Sequence, residues 1–282
     1  MAIDLIFGGL VSIPRPGQEV KTQTFARTVG GGAVITAVAA ARLGVRVRVI
    51  SGLSPEAERI LRRKHIAFKN LRRRAESSAL SVAMSTATDR SFVTFDGMNA
   101  SLPRRIARAL VSVSARHVHL AFQPKSCRAW IPIVNRLRRR GVTTSWDFGW
   151  NTDLIRDPDF EDLTASVDWV FLNSDEALLY SRRRTLDRAA RFWAGHARTA
   201  VIKLGAAGAR VVSGSLDQRA AAPPTRALDT TGAGDAFNGG FLYATLAGLP
   251  MRDCLRIGNL VGARSTRALG GIDGLPSGRE VR

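Results

Sequence analysis

Residues 227–237 read ALDTTGAGDAF, and this stretch decides how the rest of the chain is interpreted. Two glycines, Gly232 and Gly234, stand just before the carboxylate of Asp235, and an alanine- and glycine-rich helical pattern follows at once. Glycines allow backbone N–H groups to point together, and the start of a helix adds unpaired N–H groups and the positive end of its dipole. Such a loop suits an anion. Because Asp235 is itself an anion, a bound anion beside it indicates chemistry in which the carboxylate acts as a base.

The composition indicates a globular protein with an unusual charge. The chain has 282 residues, of which 45% are hydrophobic, and this length suits one large domain with a buried core. Its formal net charge of +19 would attract nucleic acid, acidic membranes or phosphorylated small molecules. Because the basic runs are scattered over predicted helix ends and loops with little aromatic interleaving, we favour a solvated surface and expect no nucleic-acid partner.

The cysteine content and the hydropathy of the chain indicate its cellular compartment. Cys127 and Cys254 are too few for a disulfide framework, and the chain has no CxxC motif, which fits a reducing cytoplasm. Asp4 interrupts the apolar N-terminal stretch, no basic leader is present, and the uncharged runs are shorter than a membrane span. We therefore expect a cytoplasmic protein with no membrane partner.

Apolar, β-branched runs alternate with helical patterns, which predicts an α/β fold with a parallel sheet. The predicted strands lie at 45–50, within 111–120, and at 142–146, 169–172 and 200–204. The clearest helix is predicted for 126–140, with Gly141 as its stop. Segments at about 12–28 and 80–97 alternate polar and apolar residues without an intervening helix, and we interpret them as strands of a small lid. The chain, 1–282, is thus predicted to be a single domain with this lid inserted.

Polar and glycine residues follow directly after several predicted strands. Asp147, Asn173 and Gly205 each follow such a strand, and the 232–235 loop precedes a helix. Since ligands of parallel sheets bind outside the carboxyl ends of the strands, we expect these four places to meet at one edge. The common P-loop, protein-kinase and serine-hydrolase motifs are absent from the sequence, which excludes those classes.

Three motifs have more than one interpretation. Asn173 and Glu176, three residues apart, could be a helix cap with its capping partner, or a polar pair that organises water-coordinated Mg²⁺ beside a nucleotide. Gly205 and Gly208 predict a hairpin loop, and they could equally let the backbone approach a phosphate or a nucleobase. The glycine cluster at 30–32 could be a dinucleotide-binding fingerprint, but it lacks the GxGxxG spacing. A tight turn before a buried helix explains the cluster at least as well.

In chain order, the glycine cluster, NxxE, GxxG and DTxGAGD resemble the PfkB, or ribokinase-like, family of carbohydrate and nucleoside kinases. GGGAVITAVAAARLG (30–44) and DTTGAGDAFNGGFL (229–242) look like the two signature segments of that family, and the second match is highly specific. The resemblance covers essentially the whole chain. It implies a ribokinase-like three-layer α/β/α sandwich with a small β-sheet lid, ATP and Mg²⁺ as cosubstrates, and phosphorylation of a hydroxyl group, usually a primary alcohol.

The resemblance also implies roles for individual residues. Asp235 looks like the catalytic base, and the catalytic set comprises Asp235, Gly232, Ala233 and Gly234, with the last three as the anion hole. The cofactor-binding positions are Asn173, Glu176, Lys203, Gly205, Gly208 and Asn259, with Glu176 acting on Mg²⁺ through water. The substrate-binding positions are Asp4, Gly31, Gly32, Ile35 and Asp147. Asp229 and Thr231 match positions where many relatives bind a monovalent cation such as K⁺.

Phosphoryl transfer requires little covalent chemistry from the protein. It requires an acceptor held in line with the phosphoryl group, neutralisation of the charge on that group, and a base that acts late. The helix N-terminus should keep the pKa of Asp235 low, so the sequence predicts a weak but sufficient base.

Two positions depart from the family's pattern. Relatives usually have Asn, which contacts acceptor hydroxyls, where this chain has Ile35, so the acceptor is expected to be less hydroxylated or differently oriented than a simple furanose. Asp4 resembles a carboxylate at the end of the first strand, yet only three residues precede it. That strand is therefore expected to lack most of its length, so its place in the sheet must be filled otherwise; a late start codon or a truncated, weakened relative would each explain this.

Three functions follow from these expectations. The first is an ATP-dependent kinase of a sugar or sugar-like alcohol. The second is a nucleoside kinase, which Ile35 favours because a base-recognising pocket relies more on apolar contacts. The third is a non-catalytic nucleotide- or nucleic-acid-binding relative, against which the intact GAGD and NxxE motifs weigh. The expected partner is a sugar or nucleoside acceptor, and the exposed edge of a lid sheet is a ready surface for a homodimer.

Overall fold

The structure is a computed structural model that describes residues 2–86 and 90–281, and its strands form three sheets. The lid sheet contains β1 (Ala2–Leu10), β2 (Thr24–Val29), β5 (Ala79–Thr86) and β6 (Arg90–Phe95), in the order β2-β1-β5-β6. The side sheet pairs β3 (Arg48–Ser51) with β4 (Ala67–Asn70). The central sheet contains β7 (His117–Ala121), β8 (Thr143–Asp147), β9 (Trp169–Asn173), β10 (Ala200–Lys203), β11 (Ala209–Ser213) and β12 (Leu216–Ala220), in reverse numerical order from β12 to β7.

The α-helices connect these strands. They are α1 (Gly32–Arg42), α2 (Pro55–Arg63), α3 (Leu102–Leu110), α4 (Ile131–Arg139), α5 (Phe160–Ser166), α6 (Ser174–Ser181), α7 (Leu186–His196), α8 (Ala233–Leu246) and α9 (Met251–Ser265). In the described ranges, no helix is both long and apolar enough to cross a membrane.

The central sheet separates two hydrophobic cores. Successive side chains of a strand point to opposite faces, so Phe171 enters the core formed with α1, α8 and α9, whereas Val170 and Leu172 enter the core formed with α4, α6 and α7. Val201 and Ile202 on the neighbouring strand divide in the same way. Helices therefore cover both faces of the sheet, and the predicted three-layer α/β/α sandwich is confirmed.

The predicted strands of the central sheet are confirmed, and β7 to β10 run parallel as expected. Two predicted starts, one of a side-sheet strand and one of a helix, differ from the structure by three residues or more. The strand predicted from Val45 begins at Arg48, because the N–H of Val45 donates to the carbonyl of Ala40 and closes α1. The helix predicted from Ser126 begins at Ile131, where Pro132 occupies the first turn, a position that does not need the missing N–H.

The lid differs from its prediction in one strand. β1 is nine residues long and pairs antiparallel with β2 and parallel with β5, so Asp4 lies near the start of a lid strand and not at the end of a central one. The segment 80–97 forms the predicted strands β5 and β6. Residues 11–23 form no strand, because Pro14 and Pro16 lack the N–H that a ladder requires and Gly17 has a φ of 80°.

The side sheet stands apart from the central sheet. Over the described ranges, β3 pairs with β4 alone, and β7 pairs with β8 alone. A cavity of about 1440 Å³ separates the free edges of β3 and β7 and continues to the carboxyl ends of β7 and β8.

Candidate active site

The loop that the sequence predicts to bind an anion lies at the N-terminus of α8. Gly232 precedes the helix with a φ of 73°, which glycine adopts without the strain that other residues incur. A Cβ atom at Gly232 would lie 2.7 Å from Cδ1 of Ile35, so this position also lacks room for a side chain. Within the described residues, the N–H groups of Gly234 and Asp235 donate to no carbonyl or side chain. The loop therefore presents unpaired donors at the positive end of a helix.

Asp235 lies in the first turn of α8, against the start of α1. A Cβ atom at Gly32 would lie 2.6 Å from Oδ1 of Asp235, and the hydroxyl of Thr36 donates to the Asp235 carbonyl over 3.0 Å. Burial, together with the charges of Asp147 and Glu176, raises the pKa of Asp235 to about 7, although Lys203 opposes the shift. The expectation of a low pKa is therefore wrong, because desolvation and neighbouring carboxylates outweigh the helix dipole.

Lys203 and Asp147 form a largely buried ion pair beneath the loop. Nζ of Lys203 lies 2.7 Å from Oδ2 of Asp147, and the amide of Asn238 donates to the same oxygen over 2.7 Å. Nζ would also lie 3.2 Å from a Cβ atom at Gly234, so the ammonium group sits directly beside the anion-binding loop. Although desolvation by burial acts to raise the pKa of Asp147, Lys203 and the hydrogen bonds hold it below its ordinary value. The site thus contains a fixed cation next to the unpaired N–H groups.

Asn173 and Glu176 form a complete capping box at the start of α6. The Glu176 N–H donates to Oδ1 of Asn173, and the Asn173 N–H donates to Oε2 of Glu176, both over 2.8 Å. Burial and the nearby charge of Asp147 raise the pKa of Glu176 to about 7. The other oxygen of Glu176 accepts no hydrogen bond from the described residues, so this carboxylate caps the helix and retains a free oxygen.

Gly208 and Asn259 both contact the end of β12. A Cβ atom at Gly208 would lie 2.0 Å from the carbonyl oxygen of Ala220, so only glycine fits there. The amide of Asn259 donates to the carbonyls of Ala220 and Ala221 over 2.8 and 3.3 Å. Gly205 opens the short turn between β10 and β11, which form the predicted antiparallel hairpin. These residues fix the backbone at the end of β12 and at the turn between β10 and β11, beside the 232–235 loop.

Asp229 and Thr231 lie just before the loop. Asp229 accepts hydrogen bonds from the N–H groups of Thr231 and Gly270 over 2.9 and 2.8 Å. The hydroxyl of Thr231 is buried and has no hydrogen-bond partner in the described part of the chain. A buried oxygen of this kind requires a water or an ion, so the residues present fit a monovalent cation.

The predicted acceptor-binding residues form two groups: those that line the cavity, and those that do not, namely Asp4 and Ile35. Gly31, Gly32 and Asp147 line the cavity together with Asp235. Asp4 lies over Gly30, where a Cβ atom would be 1.8 Å from its Oδ2, and burial raises the pKa of Asp4 to about 6.

Ile35 belongs to the second group, because its side chain is 2% exposed and packs against Gly232 and Gly271. It therefore supports the back of the loop, away from the cavity surface.

Sequence analysis missed Asn238 and Gln123. Asn238 is three residues after Asp235 on α8, and this helical spacing could have placed both side chains on one face. Gln123 lines the cavity just after β7, and its amide donates to the carbonyl of Trp150 over 2.7 Å. Its place after a central strand was the same signal that singled out Asp147.

Known proteins resemble this chain in sequence and in fold. A family model described as pfkB family carbohydrate kinase matches residues 2–278. The acarbose 7(IV)-phosphotransferase of Actinoplanes sp. is 34% identical over 179 residues, which cover 60% of this chain and 56% of that protein. The ribokinase of Haemophilus influenzae is 24% identical over 292 residues, covering 96% of this chain and 93% of that protein. The first curated relatives, acarbose phosphotransferase among them, are thus matched over about half of their length.

A solved structure shares the fold over nearly the full length. The adenosine kinase of Sinorhizobium meliloti superposes with a TM-score of 0.80 at 22% sequence identity, covering 96% of this chain and 92% of that chain. The fold is therefore ribokinase-like. Taken with the family match across almost every residue, this establishes that the chain belongs to the pfkB family of carbohydrate kinases.

Proposed function

We propose that this protein transfers the γ-phosphoryl group of ATP to a hydroxyl group of a small sugar or sugar-like alcohol. The observation that carries the proposal is the contact of Asp235 with the open N-terminus of α8, beside the ammonium group of Lys203. A base, a set of unpaired N–H donors and a fixed cation are thus in one place. These are the parts that phosphoryl transfer requires.

In the proposed reaction, the acceptor hydroxyl lies between Asp235 and the γ-phosphorus. Its oxygen forms the new P–O bond, the bond from the γ-phosphorus to the bridging oxygen breaks, and ADP leaves with that electron pair. The proton of the hydroxyl passes to Asp235, whose pKa of about 7 makes it a competent acceptor at neutral pH. The loop of Gly232, Ala233 and Gly234 holds the negative charge of the moving group, and the N–H groups of Gly234 and Asp235 are its unpaired donors within the described residues.

The side-chain oxygens around the site suit the cations that this proposal requires. Glu176 and Asn173 would hold Mg²⁺, Glu176 through water, and Mg²⁺ bound to the phosphates supplies neutralisation of their charge. Asp229 and Thr231 would hold a monovalent cation such as K⁺, since the hydroxyl of Thr231 lacks a partner in the described residues. Lys203, Gly205, Gly208 and Asn259 remain proposed nucleotide contacts.

A nucleoside acceptor is the second candidate. The shared fold with an adenosine kinase supports it. Ile35 gives less support than the sequence implied, since its side chain packs behind the loop. We further propose a cytoplasmic location, on the grounds given by the cysteine content.

The test is ADP release from Mg-ATP across a panel of sugars and nucleosides. We expect one acceptor class to stimulate release, and we expect Asp235→Asn to lower that stimulation by about 10²- to 10⁴-fold. Asp253→Asn removes a half-exposed carboxylate, paired with Arg256, from the first turn of α9 and is the matched control, with activity close to that of the parent protein. Acceptor-dependent release at the parent rate in Asp235→Asn would contradict the role of Asp235. A folded protein that binds no ATP and stimulates no release would favour the non-catalytic alternative.

A further inference from the structure

A second cavity, the β2–α2 cavity, has a volume of about 450 Å³ and lies between the lid strand β2, the helix α2 and the segment after α9. Its apolar side chains are those of Ile3, Val29, Ile60 and Ile272. Its charged side chains are those of Arg27, Glu56, Arg59, Arg63, Lys64 and Asp273. Among the described residues, none that is assigned to the active site lines this cavity, so it is a separate feature of the molecule.

The helix α2 presents its lining cations on one face. Arg59 and Arg63 are four residues apart and therefore lie on the same side of the helix, whereas Leu61 is buried in the core. Basic residues at the end of a helix suit the negative end of its dipole, which partly explains Arg63 and Lys64. The dipole explains neither Arg59, which lies further from that end, nor the cavity that these cations share.

Most of the cations in the β2–α2 cavity are unpaired. Arg27 forms an ion pair with Glu56 over 2.8 Å, and this pair is exposed enough that it contributes little to stability. In the part of the chain that the structure describes, the side chains of Arg59, Arg63 and Lys64 form no ion pair or hydrogen bond. Four cations and two carboxylates line the cavity, which gives it a net charge of +2. Like charges held close together repel, so an anion bound among them would be stabilising.

A phosphate group complements both the charge and the donors of this cavity. A phosphate monoester carries a charge of about −1.5 to −2 at pH 7 and has three strong acceptor oxygens. Guanidinium groups donate two parallel hydrogen bonds to such oxygens, and an ammonium group adds a compact charge. The apolar side chains of the cavity provide contacts for the rest of a small molecule.

The cations come from two parts of the fold. Arg27 lies on the lid strand β2, whereas Arg59 and Arg63 lie on α2, outside the lid sheet. Thr28, the next residue on β2, pairs with Asp4, the predicted acceptor-binding carboxylate. A ligand that contacts both Arg27 and α2 would therefore connect the strand pair that carries Asp4 to the body of the protein.

We propose that the β2–α2 cavity binds a phosphate group through its four cations, Arg27, Arg59, Arg63 and Lys64. Inorganic phosphate and a phosphorylated small molecule share this chemistry, and the test below separates them. The inference rests on the charges and the shape of the cavity and is independent of the kinase proposal.

Amide chemical shifts report on this cavity and on the active site separately. Two-dimensional amide NMR spectra of the full chain are recorded as inorganic phosphate replaces chloride at constant ionic strength. We expect saturable shifts in the amides of 59–64, and those amides alone give the dissociation constant of the β2–α2 cavity. The amides of 232–235 report on phosphate at the proposed active site, so failure of either proposal is seen without the other.

Two double variants, each with two cations fewer, give a matched comparison. Arg59→Gln combined with Arg63→Gln removes two lining cations and should raise the dissociation constant by at least about tenfold, because charged hydrogen bonds to the phosphate are lost. Arg62→Gln combined with Arg252→Gln removes two exposed cations that do not line the cavity, and it should leave the dissociation constant unchanged. Both variants should leave the shifts of 232–235 as in the parent.

The outcomes decide both the site and the source of the phosphate group. No shift in 59–64, shifts that do not saturate, or equal weakening in the two double variants would overturn the proposal, since general charge effects would then suffice. A second titration uses ribose 5-phosphate as the probe. Tighter binding than that of inorganic phosphate would identify a phosphorylated small molecule as the occupant, and weaker binding would identify free phosphate.

Discussion

At the residue scale, the most informative group is Lys203, whose ammonium lies among the carboxylates of Asp147, Glu176 and Asp235. Its ion pair with Asp147 is nearly out of solvent, with side-chain exposures of 13% and 11%. Removing one partner of a buried pair leaves the other charged and desolvated, which costs about 3–5 kcal/mol.

We therefore expect Lys203→Met to lower the free energy of unfolding by about 3–5 kcal/mol at pH 7. Urea unfolding of the variant measures this loss. The double variant Lys203→Met, Asp147→Asn should recover part of the stability, since it removes the unpaired charge. A single variant as stable as the parent would show that water or another cation replaces Lys203.

We expect the carboxylate of Asp235 to lower the stability of the fold at neutral pH while it supports catalysis. Its folded pKa of about 7 exceeds the ordinary 3.8, so the folded state binds this proton more tightly than the unfolded chain. The resulting stabilisation is complete below pH 3.8 and is lost as the pH rises through 7. We expect Asp235→Asn to raise the melting temperature more at pH 8 than at pH 5, and to lower kcat by about 10²- to 10⁴-fold.

Thermal unfolding of Asp235→Asn and the parent at both pH values, beside ADP release, checks this pair of effects. A variant that is equally stabilised at both pH values would mean that Asp235 remains ionised in the folded state.

At this scale the sequence identified the loop and its carboxylate but not their electrostatics. GAGD is read directly from neighbouring letters, whereas the pKa of Asp235 depends on Asp147 and Glu176, which are far away in the chain. Asn238 was missed because its partner, Asp147, lies 91 residues earlier. The packing of Ile35 behind Gly232 likewise depends on contacts between distant segments.

At the element scale, α6 offers a way to separate capping from magnesium binding. Asn173→Ala removes the side-chain acceptor of the capping box and should cost about 1 kcal/mol. Asn173→Asp retains a good cap, so its stability should match that of the parent. If Asn173 also organises Mg²⁺, Asn173→Asp should still alter the Mg²⁺ dependence of ADP release.

Chemical unfolding and Mg²⁺ titrations of both variants check this expectation. Parent-like Mg²⁺ dependence in Asn173→Asp, at full stability, would leave Asn173 with a capping role alone.

Elements with a strong local signal were predicted well. The buried strands β9 and β10 carry continuous apolar runs, and the predicted bounds of β8 to β10 agree with the structure to within one residue. The lid strand β1 was misplaced because its apolar pattern suits a central strand, and only its pairing with β2 and β5 distinguishes the two. The cavity beside β7 lies between the side sheet and the central sheet, and it has no local signal in the sequence.

At the scale of the whole molecule, one edge strand of the central sheet, β12, differs in character from one edge strand of the lid sheet, β6. β12 carries Asp217, Gln218 and Arg219, and charged edges resist pairing with other chains. β6 instead exposes Val93 and Phe95, which are 64% and 59% accessible. This supports the proposal of a homodimer through the lid.

We expect the protein to elute as a dimer in size-exclusion chromatography with light scattering, and we expect Val93→Lys to elute as a monomer. A charge at position 93 opposes apolar contact between the β6 strands of two copies. Val111→Lys, at an exposed position after α3, is the control and should remain dimeric. A parent protein that is monomeric at every concentration would contradict the lid interface.

The alternation of side chains along β9 has a consequence for how mutational effects combine. Phe171 and Leu172 are joined by a peptide bond, yet they pack in different cores on opposite sides of the central sheet. Truncation of either to alanine should cost about 2–5 kcal/mol. Because the two sites share no packing partners, a double-mutant cycle measured by urea unfolding should give a coupling energy near zero. Adjacent residues in the chain would then behave as energetically independent sites, as residues far apart usually do.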